Sequence, residues 1–213
     1  MNSKIEAAKL IETDNWFWLN RILYRMCRKE PGHTRLDVIA GKIKLIGRSY
    51  SAAIERGAGK SREEGPDFYL NRVAPMMKDS DIDNWISTVK TIKRVTHENV
   101  KDVLKVHKKV TDLFKKITGK ENRSLASKYL HFHQPKAFFI YDSIANKKIR
   151  ELLKGQRFKV PTEFDSSYAE FVYRCLWYRD NDFEQSLGRK STPRELDTHL
   201  LAPLPATRTR TKK

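Results

Sequence analysis

Ile117-Thr118-Gly119-Lys120-Glu121-Asn122-Arg123-Ser124-Leu125-Ala126-Ser127-Lys128-Tyr129-Leu130-His131-Phe132-His133-Gln134-Pro135-Lys136-Ala137-Phe138-Phe139-Ile140-Tyr141-Asp142-Ser143-Ile144-Ala145 is the stretch whose reading decides the fold. Gly119 lets the chain turn where a side chain would hinder it. Leu125, Tyr129 and Phe132 recur at helical spacing and give the next helix an apolar face. Gln134-Pro135 ends that helix, because proline can neither donate nor continue the coil. Asp142 then stands at an N-cap position before Ser-Ile-Ala-Asn-Lys-Lys-Ile.

Working outward, the apolar periodicity is helical almost everywhere. Residues 3–29 read as one or two helices, with Thr13 or Asp14 as a cap, Trp16, Leu19, Leu23 and Met26 as the stripe, and Pro31-Gly32 as the stop. Between 36 and 56, Ile39, Ile43, Ile46, Tyr50 and Ile54 mark a core helix. Gly41 and Gly47 weaken it by about 1 kcal/mol each relative to alanine, which points to a close neighbour. Phe68–Met77, Ile82–Ile92 and His97–Ile117 read as three more helices. The last has Val100, Val103, Leu104, Val106, Val110, Leu113, Phe114 and Ile117 on its apolar face. Lys101, Lys105, Lys108, Lys109, Lys115 and Lys116 lie on the other face, solvated or turned to phosphate. A helix follows Asp142 to about Leu153, and Gly155 and Pro161 bracket an irregular connection. Phe164, Tyr168, Phe171, Cys175 and Tyr178 stripe a long helix, and Thr192-Pro193-Arg194-Glu195 has the form of a capping box opening a last one to Leu201. Phe138–Tyr141 is the best strand signal and is short. The expected fold is all-α. One domain spans 1–202, with lobes of roughly 1–95 and 96–202 around a cleft, and 203–213 forms a disordered basic tail.

Lys and Arg number 43 against 26 Asp and Glu, leaving a net charge of +17. Such an excess repels itself in the folded state and is most simply explained by a polyanionic partner, with nucleic acid foremost. No segment joins a basic face to a long apolar one, so a membrane surface fits less well. Cys27 and Cys175 have no paired spacing, which indicates neither a zinc site nor a disulfide framework. With no apolar leader or membrane-length run, the expected setting is cytoplasmic. Gly57-Ala58-Gly59-Lys60-Ser61 superficially resembles a phosphate-binding loop, but the spacing before Lys60 is wrong and no strand precedes it. His131 and His133, two residues apart, fall on different faces of a helix, so no metal is expected there.

As a unit, the opening stretch resembles the helix-hairpin-helix DNA glycosylases. That superfamily carries a Leu-Pro-Gly-x-Gly hairpin, a lysine early in the next helix, a Gly/Pro-rich connection and an essential aspartate. Ile117 to Asn122 would form the hairpin, Arg123 falls at the lysine position, and the nineteen-residue step from Arg123 to Asp142 matches the family spacing. Pro135-Lys136-Ala137-Phe138 fits the approach to the aspartate. Two residues depart from the pattern: Glu121 replaces the second hairpin glycine, and Arg123 replaces the lysine. A guanidinium stays protonated and cannot form a Schiff base. The resemblance therefore implies a monofunctional enzyme that hydrolyses the N-glycosidic bond of a damaged or modified base. Asp142 and Arg123 are its catalytic candidates. Lys128 is a further amine, five residues along the helix on a different face. Gly119, Lys120, Asn122, Ser124, Lys115 and Lys116 would hold double-stranded DNA, and no cofactor is implied.

The chemistry is coherent on its own terms. Loss of a base passes through an oxocarbenium-like state that a nearby carboxylate stabilises while it orients water. The base must leave the duplex and stack in a pocket. Tyr50, Arg48 and Tyr141 are the pocket candidates, although Tyr50 lies on the core stripe, which favours burial over base contact. A non-catalytic nucleic-acid-binding module, or a basic scaffold for a protein partner, is the alternative.

Overall fold

The computed structural model describes residues 16–56 and 68–202. The anticipated start of the first helix, the cap at Thr13 or Asp14, the loop after Arg56 with its Gly57-Ala58-Gly59-Lys60-Ser61 and the basic tail lie outside the described residues. The chain runs through α1 (Trp16–Lys29), α2 (Leu36–Ser49), a 3-10 turn (Ile54–Arg56) and a π-helical turn (Tyr69–Val73) that leads into α3 (Ala74–Lys78). Then come α4 (Ile82–Ser87), α5 (Val100–Thr118), α6 (Arg123–His133), α7 (Ser143–Leu152) and α8 (Ser166–Tyr178). A second π-helical turn (Arg179–Phe183) leads into α9 (Glu184–Leu187), and α10 (Pro193–Leu201) follows. The protein is all-α, with no strand among the described residues.

At the centre is α6. Residues Leu125 through Phe132 are all buried, polar ones included, and the helix packs against α1, α2 and α5. A helix enclosed on every side must satisfy its serines, lysine and histidines internally. Ser127 and His131 do so by holding the segment where a strand was anticipated. The Tyr141 N–H donates to Ser127 Oγ (3.0 Å) and the Phe138 carbonyl accepts from His131 Nδ1 (2.8 Å). From α8, Tyr168 donates its hydroxyl to the Phe139 carbonyl (3.0 Å). Side chains take the place of a neighbouring strand, so Phe138–Tyr141 forms no strand.

Three helix ends differ from the periodicity. The stripe of α2 continues to Ile54, but the helix stops at Ser49: Ser51 adopts a φ of 52° and the Ala52 N–H returns to the Gly47 carbonyl at 2.8 Å. Gly47 makes that return possible, since a Cβ there would lie 3.1 Å from Ala53 Cα. Gly41 has no such neighbour, with nothing within 4 Å of a Cβ built on it, which corrects the expectation for that position. Helix α4 ends at Ser87 rather than Ile92. Helix α5 starts at Val100, after Asn99 has accepted from the Thr96 N–H (2.9 Å) and donated to the Arg94 carbonyl (3.0 Å).

The buried apolar residues form one cluster that runs from Leu23 on α1 to Leu200 on α10, and both anticipated halves contribute to it. Arg94 ties the segment before α5 to α9 and to the π-helical turn that leads into it, with Nη1 2.8 Å from Glu184 and Nη2 2.8 Å from Asp180. Cys27 and Cys175 are free and buried. Among the described residues no helix is long and apolar enough to cross a membrane.

Candidate active site

Helical spacing puts Ser124 and Lys128 on one face of α6. The Lys128 ammonium donates to Ser124 Oγ at 2.7 Å, and that hydroxyl donates to the Tyr141 carbonyl at 3.1 Å. With Ser127 gripping the Tyr141 amide, the backbone before Asp142 is fixed alongside Lys128. Asp142 caps α7: Oδ1 accepts the N–H groups of Ile144 (2.8 Å) and Ala145 (3.1 Å). Oδ2 lies 3.8 Å from Lys128 Nζ. One carboxylate thus both caps a helix and faces a buried amine.

The Lys128 side chain is 3% exposed and that of Asp142 25%. Burial lowers the Lys128 pKa, and the Asp142 charge offsets only part of that. An amine so placed is neutral more often than a surface lysine. It sits at the edge of solvent through its partner.

Aromatic rings from three helices pack together beside Lys128. Tyr24 of α1 lies 4.8 Å from the Phe132 ring of α6, and Tyr50 at the C-cap of α2 lies 5.5 Å from it. Lys128 Nζ is 6.0 Å from the Tyr50 ring centre. Arg194 of α10 enters from the other side, its guanidinium carbon 5.5 Å from both the Tyr50 and Phe132 rings. Arg194 Nε donates to the Tyr24 hydroxyl (3.1 Å), which donates to His131 Nε2 (2.5 Å). The donation from His131 Nδ1 to Phe138 fixes that tautomer, and burial holds the imidazole well below the usual histidine range. Arg194 Nη1 donates to Asp197 Oδ2 at 2.9 Å. Burial pushes the Asp197 carboxyl up to about 6; Arg194 opposes the push, Asp142 adds to it and Lys128 resists it.

The structure thus brings together Lys128, Asp142, Ser124 and Tyr50. Arg123 is turned elsewhere. Its Nε lies 2.9 Å from Asp165, the cap of α8, and its Nη2 3.0 Å from Glu121. Arg48 pairs with Glu55 at 3.0 Å. The Tyr141 ring packs on Phe171 (5.2 Å) and Tyr168 (6.3 Å), not on the Tyr24–Tyr50–Phe132 set.

In the turn from α5 to α6, Gly119 takes the left-handed conformation (φ 77°). Asn122 donates to Thr118 Oγ1 (2.9 Å) and the Lys120 carbonyl (3.0 Å), holding the turn itself. The Glu121 carboxylate lies between Lys115 (3.2 Å) and Arg123. Lys116 and Lys120 are exposed. Neither histidine of the pair on α6 turns to the other: His131 is engaged with Tyr24 and Phe138, while His133 Nδ1 donates to the Tyr129 carbonyl (2.8 Å).

Sequence reasoning missed Tyr24, Arg194 and Asp197. Three residues apart just inside a capping box, Arg194 and Asp197 have the pattern of a surface ion pair. Only the burial of Leu196 and Leu200 beside them hints that this helix turns inward. No family model, no curated protein and no solved structure matches the chain.

Proposed function

We propose that the protein is a DNA glycosylase of the helix-hairpin-helix type, in which Lys128 and Asp142, rather than Arg123, carry the chemistry. The supporting observation is the buried amine held 3.8 Å from a carboxylate that also caps a helix. The net charge of +17 suits a duplex partner, whose phosphates would meet the exposed lysines. Resemblance in the stretch from Ile117 to Ala145 supplies the reaction class.

In this reading the neutral Lys128 amine attacks C1′ of a nucleotide flipped from the duplex. The C1′–N bond breaks and the base departs with its electron pair. Asp142 Oδ2 offsets the positive charge that builds on the sugar, and accepts the proton that the attacking nitrogen sheds. In the resulting N,O-acetal the nitrogen lone pair expels O4′, which takes the proton back from Asp142 as the C1′–O4′ bond breaks. The imine so formed is hydrolysed by water to the aldehyde of an abasic site and the free amine. Arg123, engaged with Asp165, has no part in this scheme.

The test is base release from duplexes that carry single modified bases, run beside borohydride reduction on a duplex with a preformed abasic site. The wild type is expected to release a base and to form a covalent, reducible adduct. Asp142→Asn is expected to lower release by about 100-fold or more, within the range for loss of a positioned catalytic group. Base release without an adduct would return the chain to direct hydrolysis. Neither release nor adduct, with salt-sensitive DNA binding retained, would leave a binding module.

A further inference from the structure

Arg194 and Asp197 carry an unanswered donor and acceptor. Nε of Arg194 is engaged with Tyr24 and Nη1 with Asp197, whose Oδ2 receives that bond. Arg194 Nη2 and Asp197 Oδ1 are buried without a hydrogen-bonding partner. Leaving such atoms unanswered is costly, and more so for charged groups. They stand beside Tyr24, Tyr50 and Phe132, and Tyr50 is shared with Lys128: its ring centre lies 5.5 Å from the Arg194 guanidinium carbon and 6.0 Å from Lys128 Nζ.

We infer that Arg194 Nη2 and Asp197 Oδ1 read the lactam edge of the target base, its ring carbonyl and adjacent N–H, while Tyr24, Tyr50 and Phe132 frame the ring. This rests on the glycosylase reading above. A lactam meets the pair with complementary groups, acceptor to the guanidinium and N–H to the carboxylate. An aminated edge, as in adenine or cytosine, also offers one donor and one acceptor, but it differs at the transition state. As the glycosidic bond breaks, negative charge spreads through the departing base and settles best on a carbonyl oxygen. A cationic donor at that oxygen therefore strengthens its hold when the bond is breaking, which is the condition for catalysis rather than mere binding. A base bridged or alkylated across that edge leaves both buried groups unanswered and is rejected.

The experiment uses the full-length protein and four duplexes, each with a single hypoxanthine, uracil, N6-methyladenine or 1,N6-ethenoadenine, beside an abasic duplex for borohydride trapping. Hypoxanthine and uracil are expected to leave at least about 30-fold faster than the other two, the scale set by one charge-assisted hydrogen bond. Asp197→Asn, which turns an obligate acceptor into a group that can also donate, should cut that ratio to less than about threefold. If Asp197→Asn fails to fold, as judged by its thermal melt, the wild-type ratio decides alone. Equal release across the panel, or a ratio that survives in folded Asp197→Asn, means the pair only positions Tyr24 and overturns the inference. Trapping on the abasic duplex without release of either lactam base also overturns it, while the reading of Lys128 and Asp142 stands. Absence of both trapping and release overturns that reading and this inference together.

Discussion

Oδ1 of Asp142 holds the first amides of α7, and Oδ2 faces the Lys128 amine. The two roles separate by mutation. Asparagine caps a helix about as well as aspartate, so Asp142→Asn should leave the thermal midpoint nearly unchanged, whereas Asp142→Ala should lose about 1 kcal/mol in denaturant unfolding. Both should lose base release; a large stability loss in Asp142→Asn would mean that the charge, not the cap, holds α7. Arg123→Ala should lower unfolding free energy by about 1 kcal/mol, through the loss of a half-buried pair with the carboxylate that caps α8. Asp142 was legible in the sequence because a cap has a position relative to a proline and an apolar run. That Lys128, not Arg123, would meet it was not legible. The outcome depends on Ser124 and Ser127 docking Tyr141 against one face of α6, a contact across 14 to 17 residues that no periodicity encodes.

The helices themselves were legible where one face is apolar and the other wet, as in α5 and α8. Their ends were less so, because they depend on neighbours. The stripe of α2 runs past its true end at Ser49, where the close approach of Ala53 to Gly47 turns the chain. The apolar run from Phe138 to Ile140 suits a strand, but its carbonyls go to His131 and Tyr168. Gly41 lies inside α2 with free space around its missing Cβ. Gly41→Ala should therefore raise stability by about 0.5–1 kcal/mol, from propensity alone. Urea denaturation measures it, and a loss of stability would reveal a contact at that site.

Across the whole molecule, the buried histidines dominate the acid response. Burial brings His33 and His107 down to about 4, and holds His131 and His133 well below the usual range. Each binds its proton less readily folded than unfolded, so its contribution is complete above pH 6.5 and is lost as pH falls towards 4. A histidine shifted that far costs about 2 kcal/mol by pH 5. Asp197 has the opposite sign: with its carboxyl raised to about 6, its contribution grows as pH falls between 6 and 4. Four groups outweigh one, and unfolding free energy should drop by several kcal/mol between pH 7.5 and pH 5 in guanidinium titrations. A flat profile would mean that these imidazoles are solvated. None of the four could be read as buried from sequence, since a histidine marks no face.

The positive charge that pointed to a polyanion from the start finds its counterpart in the proposed duplex, but the claim at the centre is chemical and local. Borohydride reduction of the protein with an abasic-site duplex, followed by protease digestion and peptide mapping, tests it most directly. The nucleotide adduct should map to Lys128 and vanish in Lys128→Met. An adduct on another lysine, or one that persists in Lys128→Met, would contradict the assignment.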